Sequence, residues 1–173
     1  MAVSPFTRRL RIGDMALPEG AEVGLIGGLA VVVVFLARDL TAGHWLHTPS
    51  VLGTLLFYGP EAAREVVSAP GIAAVYNLIH FALWMVVGVV AVAAVKRAEV
   101  DPRMRFVPWA ALAGIVVVFI VLDVWVRETG LGRTHLWSGG LIAATTVAAL
   151  LAWRHPDAVA PSEELEGDDA SSE

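Results

Sequence analysis

Five residues of this sequence carry side chains that can ligate a metal or move a proton within an otherwise apolar chain: His44, His47, His80, Asp123 and His135. Neutral imidazoles and a carboxylate suit zinc, copper, iron or nickel, and the His44-x-x-His47 spacing puts two rings on one ion where the segment is helical or tightly turned. His80 is the sharpest of the set. It lies inside the uncharged run from Ile72 to Val95, and an ionisable residue within such a run is by default a functional candidate. Helical spacing aligns Tyr76, His80 and Trp84, with Asn77 beside them. Tyr76, Asn77 and His80 thus form a polar stripe that needs partners, because unpaired polar groups in lipid are costly.

Each of these residues also has a plainer reading. His44 and His47 flank Trp45, a composition that suits a membrane interface. A neutral His80 is satisfied by a hydrogen bond to Tyr76, Asn77 or a neighbouring helix. Asp123 has Arg127 one turn on, so an ion pair at the membrane edge accounts for it as well as a pairing with His80 does. His135 opens a helix beside Ser138, where water can serve it. A transition metal or a haem is the cofactor class these residues could hold. Haem ranks lower, because it needs two histidines at similar depth on facing helices and His80 and His135 are offset by about two turns.

The elements that must position these residues are membrane spans. The chain has 173 residues, 57% hydrophobic and 17% charged, with a mean hydropathy of +0.68, a balance foreign to a soluble domain of this size. Its net charge of −5 argues against nucleic acid as a partner. It contains no cysteine, which excludes disulfides, thiol chemistry, iron–sulfur clusters and cysteine-ligated zinc. The fold class is therefore all-α, a polytopic membrane protein of four transmembrane helices, with spans expected at about 23–40, 72–95, 106–126 and 134–153. Residues 1–22 read as a polar N-terminal segment, and residues 154–173 as an acidic tail with too little apolar surface to fold.

The loop 41–71 is too long and too apolar to be a mere connector. Thr48 and Pro49 suit the start of a helix, Gly59 its stop, and Pro60 and Glu61 a restart, so one or two short interfacial helices are expected between the first two spans. Gly20, Gly24 and Gly28 fall four apart, a small-residue face where another helix can approach closely. With both termini cytoplasmic, eight basic residues lie inside and four outside, and tryptophans mark both boundaries.

The runs HTPSVLGTLLFYG after the first span, YNLIHF opening the second and WRHP closing the fourth resemble a group of small, functionally uncharacterised bacterial four-helix membrane proteins. The resemblance covers most of residues 23 to 156 and implies the bacterial inner membrane, with no activity attached. In that group the third span ends in a carboxylate near an aromatic, and FIVLDVW matches it with Asp123.

No nucleophile with its base, phosphate loop or established run of metal ligands is present, which argues against an enzyme. The expected role is that of a structural or accessory subunit packing with other membrane helices, as a homo-oligomer or in a larger complex, through the glycine face. The alternative is a metal- or cofactor-binding protein of redox or transport function that uses the outer-side His and Asp residues.

Overall fold

The computed structural model describes residues 5–131 and 135–156. These form α1 (Pro5–Thr41), α2 (His47–Glu65), α3 (Pro70–Val100), a 3-10 turn at Pro102–Met104, α4 (Phe106–Glu128) and α5 (Leu136–Arg154), with no strand among the described residues. The stretches Leu17–Thr41, Pro70–Val100, Phe106–Glu128 and Leu136–Arg154 are long and apolar enough to cross a membrane. Apolar side chains such as Leu29, Val33, Val86, Val117 and Val121 face outward, as they do on a multi-pass membrane protein.

The helix boundaries depart from the sequence reading where polar segments carry on a helix that the apolar pattern had ended. α1 runs continuously from Pro5, so residues 5–22 belong to the first helix instead of forming a separate leader. Proline suits a first helical turn, and the only proline inside α1 is Pro18. α3 likewise starts at Pro70 and runs on to Val100, past the apolar run 72–95. Residues 1–4 and 132–134 and the acidic tail from residue 157 lie outside the described residues.

α2 falls within the stretch 41–71 where helix was expected, and it breaks at Gly59, whose φ of 85° and ψ of 177° a side chain would disfavour. Its start differs from the expected Thr48 cap. Leu46 precedes the helix in a left-handed conformation, and the Asp39 carboxylate at the end of α1 accepts from the Thr48 backbone N–H at 2.7 Å and from its hydroxyl at 2.6 Å. A side chain from another helix thus performs the capping that the local sequence assigned to Thr48.

α1 packs against α3 and α5, α5 against α4, and α2 lies on α3. The α1–α3 contact is the closest. A Cβ added to Gly24 would run into the Trp84 carbonyl and lie 2.8 Å from Met85 Cα, and one added to Gly88 would run into the backbone of Gly20 and Gly24. The glycine face is occupied by α3 of the same chain. α4 is the most peripheral span: 17% of its most apolar window is buried, against 39% in α1 and α5.

Candidate functional site

Near the short connection that joins them, α3 and α4 are buried together, with Val92, Val95 and Ala98 on one side and Pro108 and Leu112 on the other. Towards their far ends they part. Leu83, Val86 and Val90 of α3 and Gly114, Val118 and Leu122 of α4 form two exposed apolar lips. Between them lies a cleft of about 750 Å³. Val31 and Phe35 of α1 line it, and Pro49, Leu52 and Leu55 of α2 cover its far end. Arg64 in the second half of α2 reaches across to α4, donating to the Thr129 carbonyl at 2.6 Å.

The polar stripe of α3 faces this cleft. Tyr76, Asn77 and His80 all line it, beside Trp84 and Phe119. Their ring centroids step along the wall at 6.1 Å from Tyr76 to His80, 6.1 Å from His80 to Trp84 and 6.2 Å from Trp84 to Phe119. The small residues of α1 make this arrangement possible: a Cβ on Gly28 would lie 3.0 Å from the Trp84 ring, and one on Gly27 would lie 2.8 Å from Val147. His80 meets α1 directly, with Nε2 at 3.3 Å from the Gly28 carbonyl oxygen. Since a carbonyl only accepts, Nε2 donates. In a neutral ring Nδ1 is then an acceptor, and it has no partner among the described residues.

The expected metal ligands do not come together. His44 and His47 lie 6.1 Å apart with tilted rings, and His47 Nδ1 is 3.1 Å from the Val67 carbonyl oxygen. Asp123 is nearly fully buried, is ion-paired with Arg127 and accepts from the Leu136 backbone N–H at 2.7 Å, so it caps the start of α5. His135 precedes α5 in a left-handed conformation with a φ of 51°. Among the described residues no group of three or more His, Asp or Glu side chains is placed to hold a metal ion. His80 therefore finds the Gly28 carbonyl in place of Asp123, His135 or the His44 to His47 loop. It is half-buried, not enclosed.

Comparison with known protein families, with curated proteins and with solved structures finds no match.

The residues that sequence reasoning missed are those that lock the ends of the bundle. At the end opposite α2, Glu19 of α1 meets Lys96 of α3 at 2.6 Å and His155 after α5 at 2.8 Å, while the other ring nitrogen of His155 meets Glu99 at 2.7 Å. Arg154 grips both oxygens of Glu22, at 2.7 and 3.2 Å. Acidic and basic residues near the same end of three spans were the available signal. At the α2 end, fully buried Ser50 donates to the Leu46 carbonyl at 2.6 Å and accepts from the Ala69 N–H at 2.9 Å, which joins the starts of α2 and α3.

Proposed function

We propose that the protein is a non-catalytic integral membrane protein that works by holding a small apolar molecule of the bilayer in the cleft between α3 and α4. The observation that carries this reading is the cleft itself: about 750 Å³, almost wholly apolar in its lining and open sideways between exposed lips. That volume falls within the ~300–1,000 Å³ of small-molecule sites.

In this reading the four spans cross a bacterial inner membrane with both termini in the cytoplasm, and α2 lies along the outer face above the cleft. The role as an accessory subunit is the second reading. Its support is the apolar outward face of α4, where Val117, Val121 and Val124 are exposed on the least buried span.

Native mass spectrometry of the detergent-purified chain tests the first reading. A lipid-sized adduct is expected to survive gentle activation. Gly114→Trp is expected to remove it, because a side chain at Gly114 meets nothing within 4 Å and can swing into the cleft. A chain with no adduct, or an adduct that Gly114→Trp leaves untouched, would overturn the reading.

A further inference from the structure

From the groups that line the cleft we infer that its occupant is an uncharged, single-chain membrane amphiphile whose head carries a hydroxyl, held at the level of Tyr76, Asn77 and His80. The inference rests on the proposed binding role of the cleft and adds the chemistry of the ligand.

Three features define that chemistry. The first is reach. The lining runs from Tyr76 to Ala91 on α3 and from Ala111 to Val126 on α4, about 22 Å along each helix at ~1.5 Å per residue. That is well over half of a ~30 Å hydrocarbon core and matches an extended chain lying along the helices. The lateral opening lets such a chain enter from the bilayer without crossing water.

The second is the absence of positive charge. Among the described residues no lysine or arginine lines the cleft. Its one carboxylate, Asp39, lies at the α2 end and is already engaged by the Thr48 N–H and hydroxyl. A phosphate or carboxylate head would find no cation among these residues, and a charge left unpaired in a low-dielectric site is strongly disfavoured.

The third is a matched set of unused hydrogen-bonding groups. Tyr76 and Asn77 line the cleft and make no side-chain hydrogen bond with any described residue, and neither has a buried polar atom left without a partner. Tyr76 brings a hydroxyl, Asn77 an amide that donates and accepts, and His80 the acceptor Nδ1 left by its bond to Gly28. Such a set is satisfied by a head that both donates and accepts without charge, which is what a hydroxyl does. The chain below that head then lies against Leu83, Val87 and Ile115.

The test uses the full chain in phospholipid nanodiscs. Trp45, Trp109, Trp137 and Trp153 are replaced by Phe so that only the cleft residues Trp84 and Trp125 fluoresce. The probes are three lipids brominated on the chain: a monoacylglycerol, a phosphatidylcholine and a phosphatidylglycerol. The brominated monoacylglycerol is expected to reach half-quenching at a mole fraction at least tenfold below that of either phospholipid. In Asn77→Leu and His80→Leu that preference is expected to vanish while quenching by the phospholipids persists, with circular dichroism confirming the helical fold. Equal quenching by all three probes in the parent chain, or stronger quenching by phosphatidylglycerol, would overturn the inference and leave the cleft as a lipid site without selectivity. A parent chain that no brominated lipid quenches would instead overturn the binding role of the cleft.

Discussion

His80 is the sharper candidate in the sequence and Asp123 one of its expected partners, yet the structure gives them separate work. Asp123 holds the Arg127 guanidinium and caps α5 through the Leu136 N–H, whereas His80 ties α3 to the Gly28 carbonyl of α1. Asp123→Asn keeps one acceptor for Leu136 but gives up the charged partner of Arg127. It is expected to cost about 1–3 kcal/mol, more than His80→Leu, which removes one neutral hydrogen bond. Because these contacts, Gly28 for His80 and Arg127 and Leu136 for Asp123, lie on different elements, the two substitutions are expected to add to within ~0.5 kcal/mol in a double-mutant cycle of unfolding in detergent. A larger coupling would restore the direct pairing that the geometry denies. Ser50 was invisible as a candidate, since a lone serine in a loop carries no periodic signal. Its burial between the Leu46 carbonyl and the Ala69 N–H predicts that Ser50→Ala strands a buried donor, at a cost of about 1–3 kcal/mol by the same unfolding measurement. A loss under ~0.5 kcal/mol would mean that water reaches Ala69 N.

At the scale of elements, the four spans and the break at Gly59 were legible because an uninterrupted apolar run and a Gly-Pro pair each have a direct backbone consequence. The length of α1 was not, since hydropathy falls at Glu19 and Glu22 while helical backbone does not. The glycines at 20, 24 and 28 announced a close approach but not its partner; Gly88, the residue that completes it, lies in a run where small residues are common. Any side chain at Gly24 or Gly88 meets backbone, which cannot swing away. Gly24→Leu and Gly88→Leu are each expected to lose on the order of 1 kcal/mol or more, while Gly114→Leu, with open space around it, stays near the parent. Thermal unfolding in detergent ranks the three. Equal midpoints would place the glycine face against lipid.

For the whole molecule, the end opposite α2 is held by Glu19, which takes both Lys96 and His155 from neighbouring spans. All three side chains are less than a quarter exposed, so Glu19→Gln is expected to destabilise the bundle by about 1–3 kcal/mol. If its stability is unchanged, that end is held by the apolar contacts of Val23 and Val95 alone. The cleft at the other end could not be read from the sequence. It arises because α4 packs on α5 and parts from α3, and the hydropathy of α4 is the same whether it faces lipid or protein.

The absence of native cysteine makes a direct test of this arrangement straightforward. Single cysteines placed in turn from Ala111 to Trp125 and spin-labelled in bilayers report collision with dissolved oxygen, which concentrates in lipid, and with a water-soluble nickel chelate. The account expects high oxygen and low nickel access at Gly114, Val118 and Leu122, the lip of the cleft, and low access to both at Leu112 and Asp123. Nickel access at Gly114 or Val118, or low oxygen access along the whole lip, would contradict a cleft that opens into the bilayer.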